Sequence, residues 1–478
     1  MRKMRHKHII KASLHPIKKI KKIRRKKKTE VNLVVKSEEG PFIYGVATSS
    51  FQIEGNLNAD GRTPSIWEPF CEIKGKVFEG HTGAIACDHY NQYKEDVALM
   101  DWLGVDAYRF SVSWSRIFPE KHKPNPEGLK FYLNLISELE QKGIKPCLTL
   151  YHWDLPIWAQ REGGWTNRKC VDWFLEYATY LFENIGERVP MWFTHNEPFC
   201  SGILGHTLGL HAPGYKSVKE GFLAVHHLLL SHGKAVKRFR EMNIAGEIGI
   251  VLSVTPLYPD SSSQADYKST HFADAVSHRL FLEALFKGTY PKEVMTLVNR
   301  ITRGKLKFHL NDMETISEPC DFLGINYYTR GLVKTKSGGI GYEAGKPRVP
   351  VTDMGWEVIP YALKSMIERI RAEFTQVPIY ITENGAAYPD HVERDFRIHD
   401  EQRIMYIKRH LEMVHAINEA GGNIKGYFLW SLLDNFEWQE GYSKRFGLFY
   451  VDYKTLKRYP KDSAYFYMEY IRAQKRKL

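Results

Sequence analysis

The chain of 478 residues is 43% hydrophobic and 13% aromatic, so it can form a large buried core in one big domain or in several smaller ones. Its formal charge of +13 is unevenly distributed, because residues 1–36 hold 15 Lys and Arg and a single acid, out of 68 basic and 55 acidic residues in all. The rest of the chain is nearly neutral, which argues against a body that binds nucleic acid.

Residues 1–36 include a basic run at 17–28 and too few apolar side chains to form a core of their own. We therefore predict a disordered N-terminal extension, followed by one folded body at 37–478. Contact of this extension with anionic lipid surfaces or RNA is the functional alternative. Since the chain has neither an apolar run of about 18 residues nor an apolar signal segment, we expect no membrane span and a cytoplasmic protein.

From residue 42 onward, short apolar runs alternate with longer segments in which apolar residues recur at helical spacing. The strand-like runs lie at 43–52, 107–114, 146–152, 191–197, 248–256, 322–328, 378–383 and 424–430. Helical segments between them include 90–103, 128–142, 170–185 and 401–420. This alternation predicts an α/β fold, a single-domain (β/α)₈ TIM barrel with long βα loops, one of them at 334–351. A doubly wound open sheet is the main alternative, but it would place a glycine-rich turn after the first strand.

Polar and aromatic residues are concentrated where these strands are expected to end. The ends carry Gln52, Trp114, His152, Asn196 with Glu197, Tyr328, Glu383 and Trp430, with Glu437 and Trp438 just beyond the last. In a parallel barrel the carboxyl ends of the strands meet on one face, where active sites lie. Taken singly, His152 could be a core histidine and Trp430 a packing aromatic. Their convergence on one face favours a functional site.

Two carboxylates among neutral hydrogen-bonding side chains suit the cleavage of a glycosidic bond, in which one carboxyl protonates the leaving oxygen and the other attacks or directs water. Metal catalysis is disfavoured because the scattered His and Glu have no His-Glu-x-x-His or similar ligand spacing. The six cysteines include no Cys-x-x-Cys pair, so buried free thiols are expected rather than a zinc site or a disulfide framework. We predict no metal and no cofactor.

Seven short motifs follow one another along the chain. They are Phe51-Gln52-Ile53-Glu54-Gly55, Tyr108-Arg109-Phe110-Ser111, Tyr151-His152-Trp153-Asp154-Leu155-Pro156, Asn196-Glu197-Pro198, Asn326-Tyr327-Tyr328, Thr382-Glu383-Asn384-Gly385 and Trp430-Ser431-Leu432-Leu433-Asp434-Asn435-Phe436-Glu437-Trp438. In this order, over residues 41–472, they resemble the retaining β-glycosidases of glycoside hydrolase family 1, whose best-known members are β-glucosidases.

The resemblance implies hydrolysis of terminal nonreducing β-D-glucosyl residues with retention of configuration, with Glu383 as the nucleophile and Glu197 as the acid/base. It also implies that the sugar hydroxyls are bound by Gln52, His152, Asn196, Glu437 and Trp438. Trp430 would form the platform beneath the sugar ring. Tyr328 would hold an oxygen of the nucleophile, with Arg109 and Asn326 close by in support.

The expected substrates are small-molecule β-glycosides or cello-oligosaccharides, with β-galactosyl and β-fucosyl groups as alternatives to glucosyl. Two branches of the family are disfavoured. The plant thioglucosidases replace the acid/base by Gln, where this chain has Glu197. The 6-phospho-β-glycosidases carry a Ser and a Lys-x-Tyr in the last loop, where this chain has Glu437, Lys444 and Phe446.

Two other classes of protein stay as alternatives. One is a catalytically silent sugar-binding protein, which in this family arises by loss of a glutamate, whereas both Glu197 and Glu383 are present. The other is a basic adaptor for nucleic acid or a membrane surface, whose binding would reside in residues 1–36 and vanish when they are removed.

Overall fold

The structure is a computed structural model, and the residues it describes are 40–306, 308–338, 341–395 and 397–477. The basic extension predicted at 1–36 lies outside the described residues. Within them, the strands form one closed barrel and two small sheets.

Eight parallel strands close into a barrel in which each strand pairs with the next along the chain and the last pairs with the first. The strands are β1 Ile43–Ala47, β2 Ala107–Ser111, β3 Lys145–Tyr151, β4 Met191–Asn196, β5 Glu247–Ser253, β6 Phe322–Asn326, β7 Ile379–Asn384 and β8 Ile424–Trp430. Nearly all of their residues are buried, as in parallel sheets that helices cover. The predicted (β/α)₈ TIM barrel is confirmed.

The main helices are His89–Leu103, Pro126–Gln141, Lys169–Ile185, Val218–Glu241, Gln264–Asp274, Leu280–Lys287, Lys292–Thr302, Pro360–Glu373, Glu401–Glu419 and Asp462–Lys475. Shorter α-helices are Ser50–Ile53, Trp67–Cys71, Trp114–Ile117, Ile157–Arg161 and Asp312–Ile316. Single 3₁₀ turns occur at Ala59–Gly61, Phe78–Gly80, Gly164–Thr166, Gly186–Arg188 and Trp438–Glu440, and π-helical segments at Cys200–Leu208 and Ala275–Arg279. The four predicted helical segments are confirmed to within two residues at each end.

Apolar side chains alternate between two clusters. Every barrel strand contributes to the smaller cluster, with Ala47, Ala107, Cys147, Phe193, Val251, Phe322, Tyr380 and Phe428 among its members, so this cluster fills the barrel interior. The neighbouring strand residues point outward and pack against the helices in a much larger cluster. Because side chains fill the interior of the barrel, we expect the binding site at the face formed by the carboxyl ends of the strands.

Four of the predicted strands, 43–52, 107–114, 248–256 and 322–328, extend two or more residues past the observed ends, and in the first two the chain enters a helical turn. β1 ends before the helical turn Ser50–Ile53, which contains Gln52, and β2 ends before the helical turn Trp114–Ile117. In both places the chain turns onto the carboxyl face of the barrel directly after the strand. The side chains of both turns are buried. In the sequence their apolar residues therefore look like a continuation of the preceding strand.

The segment 334–351, predicted to be a loop, contains part of a small sheet. Strand Gly331–Thr335 pairs in parallel with Leu257–Pro259 and antiparallel with Tyr342–Ala344. A second, antiparallel pair joins Phe449–Val451 to Arg458–Pro460. None of the helices in the described part of the chain is long and apolar enough to cross a membrane.

Candidate active site

Glu383 lies near the end of β7 and is only 4% exposed. The pairing of β7 with β6 shifts register between Ile381 and Glu383, an irregularity of the kind that re-aims a side chain at the rim of a barrel. Arg109 Nη1 donates a hydrogen bond to Glu383 Oε1 at 2.7 Å, and the Tyr328 hydroxyl donates to Oε2 at 2.7 Å. Both oxygens of this carboxylate therefore have a donor.

Glu197 directly follows β4 and has a φ of 46°, in the left-handed region. Asn326 Nδ2 donates to its Oε1 at 2.7 Å, and the Cys200 thiol donates to its Oε2 at 2.9 Å. Burial and the nearby charge of Glu383 raise the pKa of Glu197 to about 7. Near neutral pH this carboxyl can therefore both give and accept a proton.

A buried hub formed by Arg109, Asn196 and Asn326 connects the two carboxyls. Arg109 Nη2 and Asn326 Nδ2 both donate to Asn196 Oδ1, at 2.7 and 3.0 Å. The Thr382 hydroxyl donates to Asn326 Oδ1 at 2.7 Å. Because the amide oxygen is held in this way, the amide nitrogen of Asn326 faces Glu197. The hub restricts the movement of the two carboxyls relative to each other, because all of its hydrogen bonds are buried.

Gln52 and Glu437 lie together on the side of the site that is formed by the loop after β8. Ser49 Oγ donates to Gln52 Oε1 at 2.6 Å, and Gln52 Nε2 donates to Asn435 Oδ1 at 3.0 Å and lies 3.5 Å from Glu437 Oε2. Burial, followed by the charge of Glu383, raises the pKa of Glu437 to about 8. An amide beside a carboxyl offers both donors and acceptors to adjacent hydroxyl groups.

Aromatic rings stand beside these groups. The His152 ring stacks on Trp430 and Trp438, with each pair of ring centroids 6.0 Å apart. His152 Nε2 lies 3.0 Å from Asn196 Nδ2, and burial lowers the pKa of His152 well below its usual value, so the neutral ring accepts there and carries its proton on Nδ1. That Nδ1 has no partner among the described residues. Gly385 lets the chain pass close to Trp430, because a Cβ there would lie 1.7 Å from the Trp430 carbonyl oxygen.

Contacts link the eleven site residues that the resemblance implies into one network, hereafter the carboxyl network. It consists of Gln52, Arg109, His152, Asn196, Glu197, Asn326, Tyr328, Glu383, Trp430, Glu437 and Trp438. Trp114 is not part of it. This residue packs on Tyr177 and Trp165, with ring centroids 5.1 and 6.2 Å away, so the prediction that Trp114 faces the site is wrong. Within the described residues, no group of His, Cys, Asp and Glu is arranged to hold a metal ion.

Several supporting residues were missed from the sequence, namely Ser49, Trp153, Cys200, Thr382 and Asn435. Cys200 could have been found, since Pro198 is typical of the first turn of a helix and the thiol follows Glu197 by three positions. Ser49 lies three positions before its partner Gln52. Trp153, Thr382 and Asn435 lie within the motifs, but their partners Asn196, Asn326 and Gln52 come from distant parts of the chain, which local spacing does not reveal.

The sequence profile of glycosyl hydrolase family 1 matches residues 36–476. The chain belongs to this family. It is 46% identical over 442 residues to beta-glucosidase A from Thermotoga maritima, covering 92% of this chain and 98% of that protein. It resembles the crystal structure of the GH1 beta-glucosidase from Exiguobacterium antarcticum B7, with a TM-score of 0.90, 50% identity, and coverage of 91% of this chain and 98% of that one. A 6-phospho-beta-galactosidase from Clostridium acetobutylicum is 38% identical over 455 residues, covering 89% of this chain and 95% of that protein.

Family membership makes the protein a β-glycosidase. Most of the similar proteins are beta-glucosidases, but one is a 6-phospho-beta-galactosidase. Family membership alone therefore does not fix the substrate, which has to be argued from the site.

Proposed function

We propose that this family 1 glycosidase hydrolyses terminal nonreducing β-D-glucosyl residues with retention of configuration, with Glu383 as the nucleophile and Glu197 as the acid/base. The observation that carries the assignment is the contrast between the two carboxyls. Glu383 accepts hydrogen bonds from the charged Arg109 and from Tyr328, an environment suited to a carboxylate that attacks. Glu197 accepts from an amide and a thiol and has a pKa raised to about 7, which suits a group that exchanges a proton.

The proposed reaction has two steps. In the first, an oxygen of Glu383 attacks the anomeric carbon while the bond to the aglycone oxygen breaks, and Glu197 donates its proton so that the aglycone leaves as a neutral alcohol. In the second, water attacks the same carbon, Glu197 accepts its proton, and the bond to Glu383 breaks. Two inversions release the sugar as the β-anomer.

The arrangement around Glu437 favours a 6-hydroxyl over a 6-phosphate. A phosphate carries roughly −1.5 to −2 charges near neutral pH. Burying it beside the carboxyl of Glu437 without a balancing cation would be unfavourable. Lys444, the one residue that fits the phosphate pattern, donates to the Asp353 carbonyl at 2.9 Å and pairs with the Asp353 carboxylate at 3.1 Å. Phe446 has no hydroxyl to offer where the phosphosugar branch has Tyr. These contacts support an unphosphorylated substrate.

Purified full-length protein and a panel of p-nitrophenyl β-glycosides test the proposal. We expect a higher kcat/KM for the β-glucoside than for its 6-phosphate, with the β-galactoside and β-fucoside as further comparisons. Proton NMR should show β-glucose as the first product. A preference for the phosphorylated sugar would contradict the argument from Lys444, and an α-anomer as the first product would contradict the double displacement. Binding of glucosides without turnover would instead identify a catalytically silent sugar-binding protein.

A further inference from the structure

A second cavity of about 310 Å³ lies apart from the carboxyl network. Its walls are formed by parts of several elements, namely Cys200–Leu208, Val218–Glu241, Gln264–Asp274, Ala275–Arg279, Leu280–Lys287, Lys292–Thr302 and strand Gly331–Thr335 of the small sheet. No member of the carboxyl network is among its described lining residues. The cavity is therefore separate from the sugar site, although the two share the chain that follows Glu197.

The cavity walls are almost entirely apolar, with Phe199, Ile203, Phe222, Leu280, Val294 and Val298 among the residues that form them. Among the described lining residues, the polar side chains are Thr207, Ser277, Tyr342 and Glu343, and Glu343 is paired with Lys336 at 2.8 Å. A charged or strongly hydrated ligand would lose its water here without gaining partners. The lining thus selects a neutral, apolar occupant.

The volume of the cavity sets the size of that occupant. An apolar cavity of about 150 Å³ stays dry and holds one benzene molecule. The cavity here is about twice as large and falls at the lower end of the ~300–1,000 Å³ typical of ligand pockets. It has room for two fused rings or for a branched skeleton of similar bulk.

We propose that this cavity is a second small-molecule site, which binds a neutral apolar molecule the size of a bicyclic aromatic or a monoterpene. A free molecule of this kind and the apolar aglycone of a β-glucoside share the required chemistry. The aglycone as source rests on the proposed function. Phe199 and Ile203 line the cavity on either side of Cys200, whose thiol contacts Glu197, the residue that would protonate the leaving aglycone.

Equilibrium dialysis of 2-naphthol against the full-length protein tests the site. Leu297→Trp and Val276→Trp enlarge half-buried side chains on two different walls, and each should weaken binding by about tenfold or more. Asn299→Trp is the matched control, because Asn299 is exposed on the same helix as Leu297 and does not line the cavity. Melting temperature shows whether each variant is folded, and either cavity variant suffices for the test. Wild-type protein that fails to bind 2-naphthol, or folded cavity variants that bind it as tightly as the control, would overturn the proposal.

Two glucosides distinguish the sources of the ligand. If the aglycone enters the cavity, Leu297→Trp lowers kcat/KM for 2-naphthyl β-glucoside by about tenfold and leaves that for methyl β-glucoside unchanged. If the ligand is a free molecule, both glucosides keep their wild-type kcat/KM while 2-naphthol binding is weakened. The dialysis result is independent of turnover, so a failure of the proposed function and a failure of this site can be told apart.

Discussion

Replacing Cys200 by alanine removes one of the two side-chain donors that the described residues provide to Glu197. The thiol donates to Glu197 Oε2 at 2.9 Å. Burial, followed by the charge of Glu197, raises the pKa of this thiol well above its usual value, so it stays protonated and can donate. A donor stabilises the ionised carboxyl, and its loss favours the protonated form. The pKa of Glu197, about 7 in the wild type, should therefore rise.

The size of the shift follows from the strength of one hydrogen bond. Such a bond contributes about 0.5–1.5 kcal/mol, and one pKa unit corresponds to about 1.4 kcal/mol. Loss of the thiol should therefore raise the pKa of Glu197 by about half a unit to one unit. In its proposed role as the acid Glu197 must be protonated, so we expect the rate to fall as pH rises through this pKa. The basic limb of kcat/KM should move to higher pH by the same amount.

The pH profile of kcat/KM for p-nitrophenyl β-glucoside, from about pH 5 to pH 9, measures this limb in the free enzyme. Cys200→Ser keeps a donor, and its basic limb should stay close to that of the wild type. Cys170→Ala is the matched control, because Cys170 is a buried cysteine whose pKa is raised by burial alone. A folded Cys200→Ala enzyme whose basic limb stays in place or moves to lower pH would refute the reasoning.

The remaining predictions concern roles, spacing, stability and the extension. Glu383→Ala should abolish turnover, with azide restoring part of it as an α-glycosyl azide, whereas Glu197→Ala should still cleave substrates with good leaving groups and give the β-azide; swapped anomers would mean that the two roles are reversed. In a crystal structure the two carboxyl groups should lie about 5–5.5 Å apart, and a gap of ~6.5–9.5 Å would indicate an inverting enzyme. Burial raises the pKa of Asp154 to about 8, so the stability linked to its protonated form is present at acid pH and lost as pH rises through 8. In urea unfolding, the free energy of unfolding of Asp154→Asn should therefore gain at least about 1 kcal/mol relative to the wild type between pH 5 and pH 9. Parallel plots of unfolding free energy against pH for the two proteins would count against this prediction. Deleting residues 1–36 should leave kcat/KM unchanged and abolish any binding to anionic vesicles, and binding that persists would place the contact in the barrel.

The barrel could be predicted because each of its strands is a short apolar run that stops at polar or turn residues. Strand ends were less certain, as Gln52 and Trp114 show, because a buried helical turn after a strand has the same apolar pattern as a longer strand. The small sheet was missed for a different reason. Its strand Gly331–Thr335 pairs with Leu257–Pro259, which is far away in the sequence, and such pairing leaves no local signal. Its local partner Tyr342–Ala344 is only 3 residues long, too short for an alternating pattern to be recognised.

The site shows the same division between local and non-local information. Glu197 and Glu383 could be placed on one face because parallel strands bring their carboxyl ends together. The environment of Glu383 was expected only through the resemblance, which implies Tyr328 and Arg109 beside it. The thiol of Cys200 beside Glu197 was not expected, because no motif includes this residue.

The buried guanidinium of Arg109 determines what happens when its counterion is taken away. Arg109 is fully buried and forms an ion pair with Glu383. If that carboxylate is replaced by a small neutral side chain, a cation is left in a low-dielectric interior, an unfavourable state that a small anion from solution can relieve. Fluoride, formate and azide are all small enough to occupy the space of a carboxylate. If Glu383 is the nucleophile, as proposed, the anion in the buffer would determine which glycosyl derivative such a variant forms.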